Sequence, residues 1–229
     1  MAYLVGSDSF TEVRGQGILR VNMDLTNIAW EHGDVSVLWA CGDENQSGGS
    51  WQIIEPGWNI IANVSATSGG DRLAGMFWKE LIEGDNEFPF FEVDTPFTAS
   101  DTMTAIWGVW RGVDPVFDVI AVTAPGGVAD SATPPITTTL PVGFIVSAYY
   151  HRGAGNTPTA PSGYTLMPAL FEAPFFTTLA YKTDTEAGLE TPGNWGSTPP
   201  MGIAEEILAT AAWGNDVTEL EAKTIPHPG

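Results

Sequence analysis

The chain has 229 residues, 43% of them hydrophobic, with nine tryptophans, 26 glycines and 17 prolines; that apolar content can bury a substantial core, which excludes a disordered chain. Twenty-eight acidic residues against eight lysines and arginines give a formal net charge of -20, a surface that repels phosphate and argues against nucleic-acid or anionic-membrane partners. The single cysteine, Cys41, excludes an intramolecular disulfide and any cysteine-based zinc cluster.

In chain order, the amino-terminal "MAYLVGSDSFTEVRG" lacks a basic region followed by an apolar run, so no cleavable secretion signal is expected. No stretch reaches the roughly 18 apolar residues that span a bilayer. Strands are predicted at 17–22, 35–41, 58–65, 73–81, 102–111, 117–123, 142–151, 177–183 and 206–213, each rich in Val, Ile, Thr or aromatics. Turn-forming clusters such as "GDENQSGGS", "EGDNE", "AGNTPTAPSG" and "ETPGNWGSTPP" separate them. This texture predicts an all-β fold, a jelly-roll-like β-sandwich. Strand 102–111 places Thr104, Ile106, Gly108 and Trp110 on one face and Met103, Ala105, Trp107 and Val109 on the other. Both faces are largely apolar, so the strand is covered on both sides, by loops or by a neighbouring subunit, and a subunit contact is the expected cover for the second face.

Self-similarity is the most informative feature. Pro56-Gly57-Trp58 answers Ser162-Gly163-Tyr164, Leu73-Ala74 answers Leu179-Ala180, Lys79 answers Lys182 and Gly84 answers Gly188. Arg111-Gly112-Val113-Asp114 aligns with Trp213-Gly214-Asn215-Asp216. The offset shrinks from about 108 to 102 residues, as loop insertions produce. Two tandem similar halves are therefore predicted, 1–118 and 119–217, packed as one body and followed by a tail at 218–229. The repeat also makes 203–213 a strand, although Ile203, Ile207 and Leu208 would share a helical face.

Motifs for chemistry are sparse. His32, His151 and His227 share no metal-ligand spacing, and no P-loop, dinucleotide fingerprint or nucleophile elbow is present. Asp43, Glu44 and Asn45, and Glu83, Asp85, Asn86 and Glu87, offer oxygen ligands in turns, which suits Ca²⁺; solvated acidic hairpin tips account for the same residues. No other cofactor is indicated. Trp51 in "GGSWQ" and Trp195 in "PGNWGS" lie beside turn residues and are candidates for stacking on a ligand or a partner, with Trp195 the better surface candidate. Tyr164 is read as a loop anchor on the core. Trp107, Trp110 and Arg111 are candidate ligand or subunit contacts, and a structural ion pair of Arg111 with an acid such as Asp114 is expected.

The order "PGW", "RLAGMFWK", "RGVDPVFDV" and "SATPPITTT" resembles a duplicated β-sandwich module of bacteriophage virion proteins that also occurs in some bacterial surface proteins; the likeness runs from about residue 17 to 216. It implies structural or adhesive work without a catalytic set, in a tail fibre, tail tip or head decoration; the two apolar faces of strand 102–111 predict a homo-oligomer, and the resemblance makes it trimeric, as in appendages of this kind. Other virion proteins or a host surface glycan would be its partners, and the virion its location after synthesis in the host cytoplasm. Two further readings stand beside it: a carbohydrate-binding module acting through Trp195 or Trp51, and a glycoside-processing enzyme using loop carboxylates, whose separation sequence does not give.

Overall fold

A computed structural model describes residues 2–14, 19–44, 50–53, 57–66, 71–85, 90–94, 101–123, 133–140, 142–152, 158–167, 170–172, 175–196 and 205–215. The strands in chain order are β1 (Tyr3–Arg14), β2 (Leu19–Asn22), β3 (Val35–Glu44), β4 (Ser50–Ile53), β5 (Asn59–Ala66), β6 (Asp71–Glu80), β7 (Phe90–Asp94) and β8 (Asp101–Arg111). They continue with β9 (Val113–Thr123), β10 (Ile136–Thr137), β11 (Val142–Arg152), β12 (Thr165–Leu166), β13 (Leu170–Glu172), β14 (Phe175–Thr185), β15 (Leu189–Glu190) and β16 (Glu205–Asn215). All nine predicted strands are present, including β16 where a helix was the alternative. The tail at 218–229 lies outside the described residues.

Two antiparallel sheets pack face to face. One runs β1-β8-β3-β6-β5; the other runs β9-β16-β11-β14-β12, with β13 also on β14. The strand order is the same in both, position for position, so the duplication read from sequence is a duplication of topology. A small sheet, β2-β7-β4, and the two-stranded β10-β15 lie beside them. The first large sheet ends at Arg111 and the second begins at Val113, so the chain changes sheets at Gly112, whose φ of 75° favours glycine. The expected boundary at 118/119 thus falls inside β9. Pro115 is tolerated there because β9 pairs on one side only.

The ladders also correct the residue matching between halves. Gly57 and Gly163 both adopt positive φ, 87° and 83°, and lead into β5 and β12, so that match holds. Asn59 then pairs with Trp78, and Thr165 with Tyr181, which makes Lys79 and Lys182 equivalent as expected. Trp78 lies opposite Val37 and Tyr181 opposite Val146. Two residues earlier on those strands, Val35 faces Trp110 and Phe144 faces Trp213. Trp213 therefore answers Trp110, and the position of Arg111 is taken by Gly214. The Leu73–Leu179 match fails for the same reason: Leu73 points outward and Leu179 between the sheets.

The core between the sheets contains Val35, Val37, Trp39, Ile106 and Trp110 from one half and Phe144, Val146, Leu179, Ile207 and Trp213 from the other. Trp110 stacks on Phe144 (4.7 Å, 12°), and Phe144 on Trp213 (4.7 Å, 3°). Gly108 admits this arrangement, since a Cβ there would lie 2.6 Å from the Trp110 ring. Burying each such side chain contributes about 1.5–3 kcal/mol, which makes this layer the principal stabilising element. Thr104 and Thr177 hydrogen-bond to each other across it.

The outer faces are also covered, by the chain itself. Met23, Leu25, Ile28, Trp51 and Trp58 close over Leu38, Phe77, Trp107 and Val109 on the first sheet. Ile136, Tyr164 and Trp195 close over Ile145, Tyr149 and Leu208 on the second. The second face of β8, expected to need a neighbouring subunit, is thus filled within one chain.

Candidate functional site

Arg111 ends β8 on the outer face and organises the irregular segment 23–34. Its Nε and Nη2 donate to Oδ1 and Oδ2 of Asp34, both at 2.9 Å; Nη1 donates to Glu31 Oε1 at 2.9 Å and Nη2 to the Ala29 carbonyl at 3.0 Å. Asp34 is buried, and its Oδ2 also accepts the Glu31 N–H at 2.8 Å. The Asp34 hydrogen bonds raise the guanidinium pKa above its ordinary value. The structural ion pair expected for Arg111 is present, with Asp34 and Glu31 as the acids in place of Asp114.

Further bonds fix both walls of a cleft. Asp24 accepts the Thr26 N–H at 2.8 Å and its hydroxyl at 2.5 Å, which lowers the carboxyl pKa. Gly33 N–H donates to the Leu81 carbonyl (2.9 Å) and Leu81 N–H to the Asp34 carbonyl (2.7 Å). In the facing turn, Asp85 accepts the Ile82 N–H at 2.8 Å and pairs with Lys79 Nζ at 2.5 Å. Between these walls lies a cleft of about 580 Å³. Leu25 and Ile28 supply apolar lining, Trp30 a half-buried aromatic, and Glu31, His32 and Glu83 exposed polar groups. The arrangement suits recognition: an apolar and aromatic wall beside two carboxylates and an imidazole.

The residues singled out from sequence lie elsewhere. Trp195 is 2% exposed, donates its indole N–H to Ser147 Oγ at 3.0 Å and stacks on Tyr149 at 5.3 Å, so it is not the surface residue it was expected to be. Trp51 is 2% exposed and meets Phe77 edge-on. Trp107 and Trp110 are interior, on opposite faces of β8. Of the five candidates, only Arg111 borders the cleft, through Glu31. Tyr164 is the anchor it was read to be, donating its hydroxyl to Glu190 at 3.1 Å. Trp30 was missed, although "NIAWEHGD" flanks a tryptophan with charge in a segment without strand alternation.

A second polar group lies closed inside the outer layer of the other sheet. His151 is buried, packed edge-on to Tyr149 and Phe176, with neither ring nitrogen hydrogen-bonded to any of the described residues; burial pushes its pKa down to about 4. Tyr149 donates its hydroxyl to Glu206 Oε1 at 2.8 Å, and Glu206 is itself buried. Cys41 is buried too, and desolvation raises its thiol pKa well above the ordinary value. Among the described residues no three His, Cys, Asp or Glu side chains gather as a metal site. Asn45, Asn86 and Glu87 of the acidic turns lie outside those residues, as do the side chains of Asp43 and Glu44.

Arg111→Ala leaves the Asp34 carboxylate buried without its counter-charge. A loss of about 3 kcal/mol is expected, at the low end for a broken buried pair because a quarter of the guanidinium side chain is exposed. Urea denaturation measures it, and the Arg111→Ala/Asp34→Ala double variant should recover part of the loss.

No protein-family model, curated protein or solved structure matches the chain.

Proposed function

We propose that the chain is a non-enzymatic structural component of a bacteriophage particle, exposed on a tail fibre, tail tip or head decoration. The carrying observation is the covering of both faces of the central strands of both large sheets within one chain: the apolar surface is buried inside one duplicated body, which leaves the open cleft for recognition. The sequence resemblance supports the same reading. A charge of -20 keeps such a body soluble until it meets a basic surface. A homo-oligomer, trimeric by the resemblance, is part of the proposal, and its contacts then lie outside β8.

Mass spectrometry and immunogold labelling of gradient-purified particles test the reading. The chain is expected in the particle fraction and on its exterior. Its absence from particles, or turnover of a polysaccharide lost on one carboxylate-to-amide change, would overturn it. Light scattering of the purified protein reads the oligomeric state, and a strict monomer would remove the oligomer from the proposal.

A further inference from the structure

We infer that the cleft between residues 25–32 and the 82–84 turn is a dock for one basic side chain, an arginine or lysine presented by a protein partner. The inference rests on the reading of the chain as an assembly component, which supplies such a partner.

The cleft is preorganised. Its longer wall has no regular ladder, yet Asp24, Asp34 and Arg111 fix its backbone through side-chain bonds to Thr26, Glu31 and Ala29. A loop held in one shape loses little freedom on binding, so weak contacts suffice. Its chemistry selects a cation. Among the described residues that line it there is neither arginine nor lysine, whereas Glu31 and Glu83 are present, with His32 as the one imidazole beside them. Among the described residues, Lys79 is paired with Asp85, and Arg111 with Asp34 and with Glu31 of the cleft wall itself, so Glu83 is the lining carboxylate that no ion pair engages.

Arg111 shows what this corner accepts: a guanidinium gathered by two carboxylates and a backbone carbonyl. A second cation reaching the cleft would have Glu83 and Glu31 among its lining and the partly buried Trp30 beside them, an aromatic ring that can add a cation–π contact. The net charge of -20 raises the local concentration of cations and steers a basic segment inward. A neutral sugar would find the aromatic ring and the acceptors but gain nothing from the field.

The test is a titration of the intact protein with acetyl-Gly-Arg-Gly-amide, followed by NMR at the Trp30 indole, whose signal is identified by its loss in Trp30→Phe. The uncharged acetyl-Gly-Gln-Gly-amide and methyl glucoside are run in parallel. Saturable shifts with the arginine peptide alone are expected, weakened about fivefold by Glu83→Gln, as an exposed charge pair gives, and weakened again by salt. Glu83 is exposed, so its substitution leaves the fold intact. An unmoved Trp30 signal, an equal response to the glutamine peptide or the sugar, or an affinity unchanged in Glu83→Gln would overturn the dock. Absence of the chain from particles would sink the assembly reading without altering the titration, so the two failures are distinguishable.

Discussion

Phe144→Ala is expected to lower the unfolding free energy by about 4 kcal/mol, near the top of the range for a single core truncation. The ring lies between Trp110 and Trp213, stacked on both at 4.7 Å and fully buried. Tyr181 meets Trp110 and Phe117 meets Trp213 edge-on. Because Trp110 and Trp213 are equivalent positions of the two halves, Phe144 is the wedge through which the halves hold each other. Its removal costs the transfer energy of the ring, a cavity between two flat indoles and two aromatic contacts of about 0.5–1.5 kcal/mol each. Phe144→Leu fills most of the volume without stacking and should lose about half as much. Urea melts followed by tryptophan fluorescence and by far-UV circular dichroism measure both. Coincident single transitions are expected, since the shared core makes the halves one cooperative unit; separate transitions, or a loss below about 1 kcal/mol for the alanine variant, would contradict the wedge.

The strands were legible where apolar segments sit between glycine and proline, and β1 was not, because "YLVGSDSFTEVR" has the mixed polarity of an edge strand, paired with β8 on one side only. Register between the halves was harder to read for a physical reason. Strands apolar on both faces carry no alternation, so a one-residue slip leaves the pattern unchanged while turning every side chain over. Hence Arg111 was aligned with Trp213, when the ladders align Trp110 with it. The partner of Arg111 was hidden by distance along the chain: Asp34 lies 77 residues away, whereas Asp114, three residues on, belongs to β9 and has crossed into the other sheet.

Trp195 misled through its flanks. Glycine and proline mark a loop, but a loop tryptophan can fold under as readily as out. The usable sign lay in "FIVSAYYH", where Ser147 interrupts an apolar central strand and supplies the acceptor that the buried indole needs. Trp30 shows the opposite case, a tryptophan beside glutamate and histidine that stays only partly buried. Both halves also carry a lysine locked to an acid a few residues on, Lys79 to Asp85 in the following turn and Lys182 to Glu190 in β15. That shared lock is why the lysine landmark survived as a true match when the Leu-Ala pair did not.

Acidification is expected to weaken the fold through His151. Its pKa is about 4 in the folded chain against an ordinary 6.5, with desolvation as the cause. The neutral ring is therefore the form that the fold holds. Above pH 6.5 both folded and unfolded chains carry the neutral ring and the fold keeps its full stability. As pH falls from 6.5 towards 4 the unfolded chain takes up the proton first, and stability drops by about 3 kcal/mol over that window. Below pH 4 both states are protonated and His151 contributes no further change. The groups around it are Tyr149, Phe176 and, directly across the ladder on β16, Glu206, whose Oε1 is held by the Tyr149 hydroxyl. His151→Leu keeps the volume and removes the titrating group, so it should lie within about 1.5 kcal/mol of the parent at pH 7. The comparison that matters is between pH values. Relative to its own value at pH 7, the variant at pH 4.5 should lose about 2 kcal/mol less than the parent does, because the carboxylates common to both proteins cancel in the difference. Urea melts at the two pH values give that number, and an equal acid loss in both proteins would show that His151 does not govern it.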